Sequence, residues 1–204
     1  MADSLDGQLR TMAGWGLPGV TPAQAGLLIL MSACHGRCFF CAHTGVTNPP
    51  PEMITPWERI LDFLGGYRGR GVGDLCLGGT EPSTHPRFRD TLALARKAGV
   101  ERVQLMTSGV TLSQHARRWA RWGVASVCVP LYGTTAHEHD GVVQVSGHHA
   151  RVVAGLDAAR EAGITVHVHT LAMRRTLPGC AGCSAGPGCA GVPDGWQLAV
   201  SPVA

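Results

Sequence analysis

The chain has 204 residues, 45% hydrophobic and 15% charged, with 28 glycines and a formal net charge of +3. That length supports one core of ordinary size and hence one domain. A mean hydropathy of +0.09, with no apolar run approaching the roughly 18 residues that a membrane-spanning helix needs, argues against a transmembrane span and a membrane partner.

Residues 1–25 are rich in Gly, Pro, Ala and Thr without a sustained period and read as an irregular lead-in. Their first ten, MADSLDGQLR, are acidic and polar where a secretory signal is basic and then apolar, so the protein is expected in the cytoplasm. Residues 27–31 form an apolar run of strand length. Thr55 and Pro56 supply an N-cap and first-turn signal for a helix to about residue 67, and residues 74–77 read as a buried strand before glycines. Pro86 opens a helix to residue 97 that Gly99 closes, residues 102–107 read as a strand, and residues 112–122 as a helix ended by Gly123. Arg117, Arg118 and Arg121, the one gathering of positive charge, read as a solvated face of that helix, which leaves nucleic acid outside the expected partners. A strand over 125–131, a helix over 149–162 before Gly163 and a strand over 165–171 follow. Five strands alternating with four helices predict right-handed crossovers and a parallel sheet covered by helices, an α/β fold. Residues 176–204 have little periodicity and many Gly, Pro and Cys, so something other than apolar burial must organise them.

Eight cysteines without an export signal point to metal or redox chemistry, because the reducing cytoplasm keeps thiols free. Cys34, Cys38 and Cys41 follow the first strand with spacing C-x3-C-x2-C, so a curled loop can bring three sulfurs to one centre. A structural zinc site wants four ligands, and no fourth Cys stands nearby, although His35 or His43 can complete one. On an iron–sulfur cluster, three thiolates leave one iron open to a small-molecule chelate, which serves catalysis rather than bracing. Cys76 and Cys128 lie inside apolar strands and read as packed thiols.

With Phe40 in the aromatic place, this run resembles the C-x3-C-x-aromatic-C signature of the radical S-adenosylmethionine (SAM) superfamily. Gly78-Gly79-Thr80-Glu81-Pro82 is similar to that family's GGEP segment with one residue inserted before Glu81. Thr107-Ser108-Gly109, and Leu131-Tyr132-Gly133 with His139-Asp140 after it, also resemble family segments. All stand at the C-terminal ends of consecutive strands, where an α/β barrel puts its chemistry. The resemblance implies a partial (β/α) barrel, short or open, since the family usually carries six strands and this chain shows five before its tail. It implies a [4Fe–4S] cluster on Cys34, Cys38 and Cys41, with SAM chelating the open iron and Phe40 near the adenine. It further implies that Glu81 and the Gly78-Gly79 backbone hold the methionyl amine, that Thr80 belongs to the cofactor-binding set, and that Ser108 and the surroundings of Tyr132 meet the carboxylate and ribose.

Cys180, Cys183 and Cys189 have spacing C-x2-C-x5-C in a segment too poor in apolar residues to fold by burial. The spacing is similar to part of the SPASM or twitch extensions that hold auxiliary iron–sulfur clusters, with Pro193 where the longer SPASM pattern has another Cys. Three readings stand: an auxiliary cluster with an open or externally supplied ligand, a zinc knuckle completed by a His, and unligated thiols. His167 and His169, two apart on the fifth strand, share one side of it, where they meet substrate, a metal or core hydrogen-bond partners. The expected organisation is a lead-in over 1–25, a radical SAM partial barrel over 26–175 and a Cys-rich segment over 176–204.

The activity implied by the resemblance is reductive cleavage of SAM to a 5'-deoxyadenosyl radical that abstracts hydrogen from a substrate, with the electron supplied by a flavodoxin or ferredoxin. The sequence singles out no catalytic side chain beyond the cofactor-binding set. A peptide or other natural-product precursor is the expected substrate. An activase that installs a glycyl radical on a partner protein and a non-catalytic zinc-stabilised scaffold are the rival readings.

Overall fold

A computed structural model describes residues 25–41, 47–67, 73–172 and 197–202. Six strands, β1 (Ala25–Leu30), β2 (Asp74–Gly79), β3 (Arg102–Met106), β4 (Val124–Pro130), β5 (Thr165–Ala172) and β6 (Gln197–Pro202), lie side by side in chain order. Every neighbouring pair is parallel. Helices α1 (Trp57–Gly65), α2 (Phe88–Lys97), α3 (Leu112–Trp122), α4 (Ala136–Val143) and α5 (His148–Glu161) fill the crossovers. Among the described residues β1 does not pair with β6, so the sheet is an open α/β partial barrel, as the sequence leads one to expect.

Alternation along the strands sorts the two faces. Leu75, Leu77, Val103, Leu105, Val127, Val129, Val166 and Val168 are all buried in one core with Ile60, Leu64, Leu92, Trp119 and Leu156 of the helices. The residues between them, Cys76, Gln104, Cys128 and His167, therefore point to the other face, and they too are buried. Burial on both faces is what parallel strands under helices require. It leaves the inner face as the place where polar groups collect.

The structure has one strand and one helix more than the sequence reading. β6 comes from the segment expected to be the Cys-rich extension, where a short run, QLAVSP, is hidden by the Gly, Pro and Cys before it. α4 has no apolar stripe to announce it, since its sequence is AHEHDGVV. A capping box sets its start: Thr135 Oγ1 accepts from Glu138 N at 3.3 Å, and the Glu138 carboxylate accepts from Thr135 N at 3.2 Å. The T-x-x-E spacing was the available signal.

Two ends also differ in their chemistry. Thr55 does not cap α1, whose N-cap is Pro56 without a side-chain bond. Its hydroxyl instead accepts from Met31 N at 2.8 Å and lies 3.2 Å from Ile29 O, so it ties the end of β1 to the α1 side. Tyr67, just past α1, is buried; its hydroxyl accepts from Gly26 N at 3.3 Å and donates to Asp74 O, joining the starts of β1 and β2. By contrast α3 stops where expected, at Gly123 with φ 97°.

Candidate functional site

The cysteine loop leaves β1 and crosses the C-terminal edge of the sheet, clamped on two sides. On the β2 side, Thr80 Oγ1 accepts from Ser32 N at 2.8 Å and donates to Ser32 O at 2.6 Å, while Thr84 Oγ1 lies 3.0 Å from Ala33 O. Thr80, the residue inserted into the GGEP-like segment, is thus one of those that hold the loop. On the α4 side, Arg37 N donates to Val143 O at 3.0 Å, Phe39 N to Val142 O at 3.3 Å, and the Arg37 guanidinium to Gln144 O at 3.2 Å. Carbonyls in the last turn of a helix have no partner within it. In α4 the loop supplies those partners.

Cys34, Cys38 and Cys41 are half-buried. Burial raises the Cys34 thiol above its ordinary range, with Glu81 and Cys41 adding to the effect; burial, then Cys34 and Cys41, push Cys38 up to about 11. Burial also raises the Tyr132 phenol, and the charges of all three cysteines add to that. The three sulfurs and Tyr132 therefore share one neighbourhood. Cys38 packs there against Tyr132, Val142, Val143 and Leu171, and Phe40 stands edge-on to Tyr132 at 5.5 Å with 37% of its surface exposed. A single zinc ion would need sulfurs about 2.3 Å away. Among the described residues no group of three or more His, Cys, Asp or Glu is placed to hold one ion.

Beside the loop, Gly79 has φ +127°, and a Cβ there would run into the Leu30 carbonyl. A Cβ at Gly78 would press on Met106 Sδ at 3.3 Å. At Gly79 only glycine allows β1 and β2 to finish this closely. Glu81 then turns inward with 0% exposure. One carboxylate oxygen lies 2.6 Å from Ser83 Oγ and 3.3 Å from Ser83 N; the other accepts from Ser108 N at 2.7 Å and Ser108 Oγ at 2.6 Å; Thr107 Oγ1 is 2.9 Å from both. Instead of presenting an open acceptor, Glu81 joins the ends of β2 and β3 with its lone pairs engaged. Ser83 and Thr84 escaped the sequence reading because a lone hydroxyl carries no pattern. His85 escaped for the same reason: it accepts from Arg87 N at 3.1 Å through Nδ1 and reaches Thr55 O at 2.8 Å through Nε2.

On the inner face, Cys128 Sγ lies 3.4 Å from His169 Nδ1. Burial pushes Cys128 up to about 12 and His169 down to about 4, so they meet as neutral thiol and neutral imidazole. Cys76 is also held near 12, chiefly by burial and secondarily by Cys128. Below the loop, Asp140 caps α5 by accepting from Gly147 N at 2.6 Å and His149 N at 2.7 Å. His139 and His148 are buried, with Nε2 of the first 2.9 Å from Nδ1 of the second. Burial pushes them down to about 3 and 4 from 6.5, helped by His148 and His149 on the first and by Arg151 on the second.

An imidazole that titrates near 6.5 unfolded and near 3 or 4 folded binds its proton more readily in the unfolded chain. The stabilising difference is complete above about pH 7 and shrinks as pH falls from 6.5 toward 4. Urea midpoints measured at pH 7, 6 and 5 should therefore fall at constant slope. A midpoint unchanged over that range would show that the two rings are solvated.

The Radical SAM superfamily profile matches residues 28–176, well over half of the sequence. The chain belongs to the radical SAM superfamily. Among its curated relatives are the GTP 3',8-cyclase of Caulobacter vibrioides, 30% identical over 150 residues covering 72% of this chain and 43% of the relative, and the probable GTP 3',8-cyclase of Archaeoglobus fulgidus, 28% identical over 132 residues covering 65% and 43%. This chain thus spans less than half the length of those relatives. Similar solved structures include anSMEcpe with bound AdoMet (TM-score 0.62, 12% identity, covering 87% of this chain and 51% of that one) and Streptococcus suis SuiB bound to S-adenosylmethionine (TM-score 0.58, 13% identity, 87% and 50%). At such identities they show a common fold.

The radical SAM family uses a [4Fe–4S] cluster and SAM. The donor set here fits that group: three soft thiols in one loop, beside strand ends kept free of side chains by Gly78 and Gly79. His43, Cys180, Cys183 and Cys189 lie outside the described residues. No helix among the described residues is long and apolar enough to cross a membrane.

Proposed function

We propose that this radical SAM enzyme holds a [4Fe–4S] cluster on Cys34, Cys38 and Cys41, binds SAM at its open iron, and works in the cytoplasm with a flavodoxin or ferredoxin as electron donor. The observation that carries this reading is the loop itself, which brings three thiols and Tyr132 together while hydrogen bonds clamp it to β2 and α4. When bound, the cluster and SAM supply a 5'-deoxyadenosyl radical, formed by reductive cleavage of the sulfonium, which takes a hydrogen atom from substrate.

The chain's own residues position and shield. Gly78 and Gly79 expose strand-end backbone to the methionyl group, and Thr80 fixes the start of the loop through Ser32. Glu81 supports the amine site by orienting Ser108 and the β2 and β3 ends, and Ser108, whose hydroxyl proton goes to Glu81, keeps an oxygen lone pair for a ribose hydroxyl of SAM. Phe40, part exposed and braced by Tyr132, offers a face for the adenine.

The Cys-rich segment favours a peptide or other natural-product precursor as substrate, with Cys180, Cys183 and Cys189 holding an auxiliary cluster. The GTP 3',8-cyclase relatives support a second reading, in which the substrate is GTP. Anaerobic reconstitution should give about four irons per chain, or about eight if the tail also holds a cluster, and 5'-deoxyadenosine on addition of SAM and dithionite. Colourless protein that splits no SAM would overturn the proposal. Replacing Cys180, Cys183 and Cys189 with alanine should spare SAM cleavage but abolish substrate turnover; full turnover would remove the auxiliary cluster from the reading. Deoxyadenosine release stimulated by GTP rather than by peptides would select the second substrate.

A further inference from the structure

Tyr132 donates its backbone N–H to Nδ1 of His139 at 3.2 Å. An amide N–H only donates, so that nitrogen is an acceptor and the proton of the neutral His139 ring sits on Nε2. This proton is given across 2.9 Å to Nδ1 of His148, which in turn places the His148 proton on Nε2. One backbone donor thus sets the direction of two buried rings. Asp140 does not break the sequence, because its carboxylate is bonded to the amides of Gly147 and His149.

Among the described residues the far end of this series is open. There His148 Nε2 is buried without a hydrogen-bond partner, on a residue only 2% exposed. Nδ1 of His35, the residue after Cys34, is likewise buried without a partner among the described residues. Arg37 N, two residues after His35, donates to Val143 O at 3.0 Å, and His148 N donates to Val145 O at 3.3 Å, so both rings stand by the end of α4, and charge on His35 acts on His148. An N–H with no acceptor thus lies near a ring nitrogen with no donor, and a buried water commonly serves such groups.

We propose that His139 and His148 are positioning residues for the cysteine loop: with one trapped water they complete a one-way hydrogen-bond string from the Tyr132 amide to Nδ1 of His35, fixing the His35 proton on Nε2. The loop then carries an oriented N–H donor beside its first thiol, supported from α4 and α5. The meaning of this for catalysis rests on the cluster reading above. Its test does not, because it reads hydrogen bonding in the full chain without iron.

Long-range ¹H–¹⁵N NMR of that protein should find His35, His139 and His148 all as Nε2–H tautomers. An Nδ1–H or exchange-averaged form of His148 or His35 would overturn the string. In the His148→Leu variant, hydrogen exchange at the Arg37 and Phe39 amides should speed up at least tenfold while the middle of α5 keeps its protection. His148→Gln, which retains a donor at the end of its side chain, should restore most of the loop's protection. Unchanged loop exchange in the leucine variant, or failure of glutamine to rescue it, counts against the proposal. Should the leucine variant not fold, the wild-type tautomers decide alone.

Discussion

Changing Cys34, Cys38 and Cys41 together to alanine is expected to leave a folded protein that loses about four irons per chain and releases no 5'-deoxyadenosine from SAM. The fold should survive because the loop's clamps do not run through sulfur. Ser32, Arg37 and Phe39 are held through their backbones and Arg37 also through its guanidinium, and the thiols are only half-buried, so each loses about 1 kcal/mol or less of packing. Chemistry, by contrast, should fall below detection, because no other described residues offer three thiols around one space. Iron content, deoxyadenosine release and a circular-dichroism melt on the same preparation check both halves. Iron at wild-type stoichiometry in the folded variant would move the cluster elsewhere in the chain. Collapse of the melt would favour the zinc-scaffold alternative, in which the thiols exist to hold the loop.

The strands and helices that could be read from the sequence are those whose burial writes a pattern. β2 to β5 are short apolar runs between glycines, and α3 combines an apolar stripe with a glycine stop. α4 was hidden because its residues serve the loop more than the core: the backbone carbonyls of Val142, Val143 and Gln144 receive the loop's donors, and backbone carbonyls leave no trace in side-chain periodicity. β6 was hidden by the composition of its segment. At the site, the cysteine spacing and the GGTEP segment were legible because ligand spacing and glycine are constraints that only certain residues meet. The partners of Glu81 were not, because Ser83, Thr107 and Ser108 come together only when β2 and β3 end side by side. The His139–His148 contact likewise needs the turn between α4 and α5, and His139-Asp140 alone does not reveal that its two members look to different partners.

Glu81 gives the second large effect. Glu81→Ala should lower stability by about 3 kcal/mol, since it strands the Ser108 amide and three hydroxyls that now point at a buried carboxylate. For a domain of this size that is a fall in melting temperature of roughly 6–12 °C. Glu81→Gln keeps the shape but turns an amide N–H toward groups that donate, so it should lose less, about 1–2 kcal/mol, as the Ser83 and Thr107 hydroxyls rotate to accept. Glu81→Asp keeps the charge but is one methylene too short to reach both strand ends, and it separates two accounts of the residue. If Glu81 braces β2 against β3, the aspartate variant should resemble alanine in stability, and SAM affinity should fall in step with stability across all three variants. If Glu81 binds the SAM ammonium directly, glutamine should lose SAM affinity while melting near the wild type, and aspartate should retain part of it. Calorimetric SAM binding to reconstituted protein beside thermal melts distinguishes the two. With both carboxylate oxygens already occupied by Ser83, Thr107 and Ser108, the brace predicts the first result.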